Sequence, residues 1–133
     1  MLSDRDQIAN LLARYCFTID DGDVEGWKAL FAPDAVVRLH DTVIEGIDTI
    51  AVSLAGAFGA GRHANLSCAI DVADDGTASA VTDFLYAWRD DAGRYSLQTT
   101  PGPHFGRYQD QFVQRDGAWR FVERAITVFS TLA

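Results

Sequence analysis

Only two cysteines occur in the 133 residues, Cys16 and Cys68. One falls in a helical pattern and one in a strand pattern, with no metal-ligand spacing and too few thiols for a disulfide framework. The expectation is two reduced, buried thiols in a cytoplasmic protein. Basic residues are scarce too: 11 Lys and Arg stand against 19 Asp and Glu, for a net charge of −8. Affinity for nucleic acid rests on neutralising phosphates with Lys and Arg, so no nucleic-acid partner is expected. Long apolar runs are missing as well. None approaches the roughly 20 residues that span a bilayer. The N-terminal MLSDRDQIANLL carries acids where a signal peptide would be basic. Neither a membrane partner nor export is expected. The chain also lacks a Gly-x-Gly-x-x-Gly fingerprint, a P-loop and a Gly-x-Ser-x-Gly elbow. Its three histidines, His40, His63 and His104, do not have zinc spacing. No cofactor and no metal are expected.

What is present is the composition of a globular domain, 48% hydrophobic and 23% charged. Residues 1–133 fit one domain, since chains of roughly 100–200 residues usually hold one core. Eight Phe, four Tyr and three Trp exceed what a minimal core needs. An aromatic-lined cavity would use the surplus.

Taken in order, Ser3-Asp4-Arg5-Asp6 reads as a capping pattern for a first helix. Ile8, Leu11, Leu12, Tyr15, Cys16 and Ile19 then recur at helical steps and form one apolar stripe. Asp20 borders that stripe in the last turn, and Gly22 supplies a left-handed C-cap. Asp23 caps a second helix with Trp27, Leu30 and Phe31 on its apolar side, ended by Pro33-Asp34. A short hairpin follows, residues 36–39 and 42–44 turning at His40-Asp41. Ile47, Ile50, Leu54 and Phe58 mark a third helix, stopped at Gly59 and Gly61. The remainder reads as strands, Arg62 to Val72, Ala78 to Arg89 and Arg94 to Gln98. Phe105 to Arg115 and Ala118 to Phe129 then form a hairpin around Asp116-Gly117. Helices first and strands after predict an α+β layout. A twisted antiparallel sheet must bury one face under those helices. Curled into a cone, it would enclose a ligand cavity.

The stretch RYCFTIDDGDVEGWKALFAPDAVV, residues 14–37, and the closing hairpin GRYQDQFVQRDGAWRF resemble the SnoaL-like branch of the nuclear transport factor 2-like (NTF2-like) superfamily. The resemblance covers essentially the whole chain. It implies three N-terminal helices packed on a strongly curved, mainly antiparallel sheet around a pocket. It is weak on function, because the superfamily hosts dehydratases, isomerases, dehydrochlorinases, hydrolases and proteins without chemistry. Members similar to scytalone dehydratase and hexachlorocyclohexane dehydrochlorinase use an Asp at the end of the first helix and a His opening the first long strand. The matching positions here are Asp20 and His63. Ile8 stands twelve residues before Asp20, and His63 seven before Ile70, as in that pattern. The ketosteroid isomerase-like members carry their carboxylate base on the strand after Asp-Ala. Residues 36–39 read Val-Val-Arg-Leu with no acid, so that mechanism is not expected. Ser67 stands where this branch often has Asn.

A His-carboxylate pair suits proton abstraction near neutral pH, since an unperturbed imidazole titrates near about 6.5. The carboxylate fixes the tautomer and stabilises the imidazolium. The expected activity is that of a cofactor-independent lyase or isomerase on a small hydrophobic, cyclic substrate. Asp20 orients, His63 acts as base and Tyr15 polarises. Trp27, Phe31, Phe58, Phe84, Trp88, His104 and Arg124 are the candidate substrate contacts, and loop 99–104 is a candidate mouth. The competing expectations are a non-catalytic binding protein for a hydrophobic molecule and a dimerising interaction module. A homodimer or higher homo-oligomer is expected by analogy. One geometric question is open. Strict alternation puts His63 with Asn65, Ser67 and Ala69, opposite Leu66, Cys68, Ile70 and Val72. Either the pocket lies on that polar face or a bulge breaks the alternation.

Overall fold

A computed structural model describes residues 1–96 and 104–131, leaving the side chains of Ser96, His104, Ser130 and Thr131 undescribed. Residues 99–103 of the expected loop 99–104 and residues 97–98 of the expected strand 94–98 lie outside the described residues; of that strand, Tyr95–Ser96 is observed, and His104 already belongs to the next strand.

Helix α1 spans Asp4–Asp20, and the Ser3 hydroxyl accepts the Asp6 N–H as its N-cap. Its stripe of Ile8, Leu12, Tyr15, Cys16 and Ile19 is buried. Burial of each aliphatic side chain contributes roughly 1.5–3 kcal/mol. The helix ends where Gly22 takes a φ of 73°, a conformation that costs glycine little. Asp23 then accepts the Gly26 N–H at 2.9 Å and caps α2, Val24–Lys28. This second helix is shorter than expected. Phe31 already belongs to β1, Phe31–Leu39, because it pairs in parallel with Phe121 and stacks on its ring at 4.9 Å. Pro33 and Asp34 fall at an irregularity of that strand, where a missing N–H is tolerated.

After β2 (Thr42–Glu45) come α3 (Ile47–Ser53) and one 3₁₀ turn (Ala55–Ala57). The long strands are β3 (Gly61–Val72), β4 (Thr77–Arg89), β6 (His104–Arg115) and β7 (Ala118–Thr131), with the short β5 (Tyr95–Ser96) paired to β4. The sheet order is β2-β1-β7-β6-β4-β3, open rather than closed, and antiparallel except for β1 on β7. At the β6–β7 turn both Asp116 and Gly117 have positive φ, as the Asp-Gly signal requires. Helix α1 lies across β3 and β7. The core between helices and sheet gathers Ile8, Trp27, Phe31, Ile50, Phe112 and Phe121.

Two bulges decide which side chains face that core. In β3, Asn65 pairs with Phe84 and Cys68 with Thr82, so Leu66 and Ser67 share one partner position. Alternation breaks there. His63 and Asn65 turn toward α1 before the break, Asn65 donating to Leu12 O at 3.3 Å, and Ile70 faces the core after it, opposite Ala80. In β7, Gln111 pairs with Glu123 and Phe112 with Phe121, which leaves Val122 extra and turns Arg124 inward with Phe121. One expectation is corrected here. Cys16 is buried but Cys68 is exposed, because it follows the bulge on an edge strand.

Candidate active site

Asp20 sits at the last turn of α1, and His63 near the start of β3, so one end of the helix meets one end of the strand. The His63 Nδ1 lies 2.6 Å from Asp20 Oδ1, and the His63 backbone N–H donates to Asp20 Oδ2 at 2.8 Å. Both carboxylate oxygens are therefore engaged by one residue. The pair is secluded, with side chains 10% and 4% exposed for His63 and Asp20. An ionised carboxylate only accepts hydrogen bonds, so Nδ1 carries the proton and Nε2 keeps its lone pair in the neutral ring. Asp21, next in sequence, is exposed and pairs with Arg62 at 3.1 Å.

Aromatic rings wall the histidine. Tyr86, its cross-strand partner, lies 4.4 Å away ring to ring, and Tyr15 presents its edge at 6.1 Å. His63 lines a cavity of about 200 Å³ together with Tyr15, Phe84, Tyr86, Tyr108 and Leu54. Ile19, Leu39, Ala57, Ile126 and Val128 complete its wall. Asp20 is not on that wall. It borders a separate outer cleft with Cys16, Phe17, Arg62, Asn65 and the other side of His63. The imidazole thus divides an apolar interior from a more polar outside. A larger depression runs between α1 and the β6–β7 turn, without Asp20 or His63 on its wall.

Behind the cavity lies a buried charge. Arg124 is 1% exposed and donates from Nε and Nη2 to the two oxygens of Asp110, at 2.7 and 2.8 Å. Its guanidinium carbon stands 4.1 Å from the Tyr15 ring centre, 3.7 Å from that of Tyr108 and 4.9 Å from that of Phe121. Burial works against this charge, but the Asp110 carboxylate outweighs it and holds the guanidinium above its ordinary pKa. Burial also raises the Tyr15 and Tyr108 phenols, with Arg124 pulling the other way. The Tyr86 phenol is pushed up to about 12 by burial and then by the negative charge of Asp20. All three remain protonated, as hydrogen-bond donors, at neutral pH.

Of the residues expected here, Asp20, His63, Tyr15 and Phe84 come together. Trp27, Phe31 and Phe58 are not on the wall; Trp27 packs tilted against Phe31 at 4.7 Å and edge-to-face with Phe58 at 5.3 Å. Trp88 packs edge-on to Tyr86 at 5.0 Å, beside the cavity rather than on it. Arg124 is not on the cavity wall and meets the site through Tyr15 and Tyr108. The His104 side chain lies outside the described residues. Tyr86 and Tyr108 line the cavity and were not singled out from the sequence. Tyr86 shares a strand face with Phe84 and Trp88, and that alternation was the available signal. Among the described residues no cluster of His, Cys, Asp or Glu could hold a metal ion, and no helix is long and apolar enough to cross a membrane.

A family model described as a SnoaL-like domain matches residues 1–125. No curated protein matches the chain. Among solved structures, a single-substitution variant of Rv3472, a protein of unknown function from Mycobacterium tuberculosis, is 30% identical. It superposes with a TM-score of 0.78, over 94% of this chain and 71% of that one. A candidate scytalone dehydratase from Novosphingobium aromaticivorans is 23% identical, with a TM-score of 0.79 over 96% and 85% of the two chains. An NTF2-like protein with a cystatin-like fold from the same species is 22% identical, with a TM-score of 0.80 over 96% and 82%. These last two similarities carry the fold alone.

Proposed function

Since the chain belongs to the SnoaL-like family, we propose that it is a cofactor-independent lyase or isomerase that removes a proton from carbon in a small, largely apolar, cyclic substrate. The observation that supports this reading is the Asp20–His63 pair, 2.6 Å apart, with the imidazole on the wall of an aromatic cavity. His63 Nε2 takes a proton from a carbon next to a carbonyl or similar group. The C–H electron pair becomes the double bond of an enol or enolate. In a dehydration the neighbouring C–O bond then breaks, and the proton on Nε2 leaves with the hydroxide as water. In an isomerisation the same proton returns to another carbon. Either way the imidazole ends as it began. Asp20 holds the ring in the tautomer that leaves Nε2 free and stabilises the transient imidazolium. The Tyr15 phenol, kept protonated by burial, donates to the developing oxyanion.

Proton transfer of this kind contributes about 10²–10⁴-fold, and the preorganised phenols and dry walls supply the remainder. The same reading places the protein in the cytoplasm as a homodimer or higher homo-oligomer, and static light scattering tests the assembly. For the activity, cyclic ketones and β-hydroxy ketones are screened against the wild type and His63→Ala. Turnover that collapses in the variant supports the base. Turnover that survives removes it, and saturable binding with no turnover of any compound favours a binding protein.

A further inference from the structure

The cavity that His63 lines is small and, among the described residues, has no charged side chain on its wall, and these two properties narrow what it accepts. We propose that its ligand is an uncharged molecule built on a single six-membered ring and carrying one carbonyl or hydroxyl oxygen. This rests on the reading of the cavity as the reaction site.

Size comes first. The cavity measures about 200 Å³. An apolar protein cavity of about 150 Å³ holds benzene, and ten ring carbons in place of six scale that to about 250 Å³. One ring with a few substituent atoms fills that space, and a second fused ring would project beyond it. The aromatic walls have little room to retreat. A Cβ added at Gly61 would stand 2.7 Å from Tyr86 Cζ, and one at Gly106 would stand 2.8 Å from Phe84 Cζ. Both rings are therefore already seated against strand backbone where only glycine allows it.

Charge comes second. Among the described residues the wall carries no Lys, Arg, Asp or Glu. Arg124, behind it, is neutralised by both oxygens of Asp110. An anion would lose its water without gaining a free cation in return. A cation would ordinarily be welcome over aromatic faces, but these faces are taken. Tyr108 has Arg124 at 3.7 Å and is stacked on Phe84 at 4.1 Å. Tyr15 also carries Arg124 at 4.1 Å, and Tyr86 lies over His63 at 4.4 Å. A second cation beside the first is repelled. Among the described residues the wall also presents the phenols of Tyr15 and Tyr108, held protonated by burial, and the His63 imidazole, groups that suit an oxygen on the ligand.

The test is binding read by the NMR signals of the His63 ring at pH 7, with cyclohexanone and phenol against 1-tetralone, benzoate and benzylammonium. Cyclohexanone and phenol are expected to shift those signals and to compete with each other. The two-ring and charged probes are expected to bind at least about tenfold more weakly. Leu54→Ala, which opens the wall, is expected to narrow the gap for 1-tetralone. Equal or tighter binding of 1-tetralone, benzoate or benzylammonium by the wild type overturns the inference, as does failure of both one-ring probes to move His63. The catalytic reading fails differently: a two-ring compound turned over in a His63-dependent way would overturn the ring-size limit and leave the base in place.

Discussion

His63 and Ile70 face the same side of β3 although they are seven positions apart, because Leu66 and Ser67 together oppose one position of β4. The bulge lets one strand serve two purposes, anchoring the core through Ile70 and presenting His63 to Asp20. Removing Ser67 restores strict alternation, so both demands can no longer be met. The deletion variant is expected to lose the Asp20–His63 hydrogen bond or a substantial part of its stability. Proton NMR of the imidazole N–H, together with urea denaturation, checks this. An unchanged N–H signal at unchanged stability would contradict it.

Asp20→Asn keeps an oxygen for the His63 backbone N–H but puts a neutral amide against Nδ1. The wrong tautomer becomes accessible and the imidazolium loses its counter-charge. Turnover is expected to fall by about 10²–10⁴-fold with the fold intact. Full activity in this variant would show that Asp20 neither orients nor stabilises the base.

The buried Arg124–Asp110 pair is expected to reveal itself when only one partner is removed. Arg124→Met leaves a carboxylate in the core and should cost about 3–5 kcal/mol. Arg124→Met with Asp110→Leu should recover most of that loss, since an apolar pair of similar volume is tolerated. Urea denaturation of both variants decides between this and a pair whose charge matters little.

Alkaline pH should weaken the fold through its phenols. Burial raises the Tyr86 pKa to about 12, so the folded state keeps a proton that the unfolded state loses near about 10. The unfolded chain then binds fewer protons, and stability falls as pH rises. The contribution is complete below about pH 10 and declines between about 10 and 12. Tyr15 and Tyr108 act in the same direction. Tyr86→Phe should flatten part of that decline in thermal melts recorded across the window. An identical slope would exclude Tyr86 as a contributor.

Gly61→Ala tests the seating of the aromatic wall. The added methyl meets Ala87 O and stands 2.7 Å from Tyr86 Cζ. Something must shift, at a cost of about 1–3 kcal/mol. The melting temperature should drop, and the Tyr86 ring should move relative to His63. A variant as stable as the wild type, with Tyr86 unmoved, would contradict the packing described.

Much of this was legible in the residues. The stripe from Ile8 to Ile19, the caps at Ser3 and Asp23, the break at Gly22 and the Asp116-Gly117 turn each follow from a local rule. Asp20 and His63 were legible through the family pattern and not through spacing alone. Strand parity left a bulge after His63 as one of two alternatives without placing it, and the bulge at Val122-Glu123 was not legible, since neither site contains the Gly or Pro that usually marks one. The parallel pairing of β1 with β7 is long-range, and it is what draws Phe31 out of the expected helix. Which aromatic rings reach the cavity depends on how these bulges turn the strands. Alternation therefore placed Tyr86 on the right face without distinguishing it from Trp88.

The central claim is that His63 removes a proton from carbon in a ligand held in this cavity. Deuterium wash-in tests it most directly: cyclohexanone is incubated in D₂O with the wild type and with His63→Ala, and loss of its α-proton signal is followed by NMR. Exchange by the wild type above the buffer rate, slowed by at least about 10²-fold in His63→Ala, is expected. Exchange at the buffer rate by both proteins, or equally fast exchange by the variant, would contradict it.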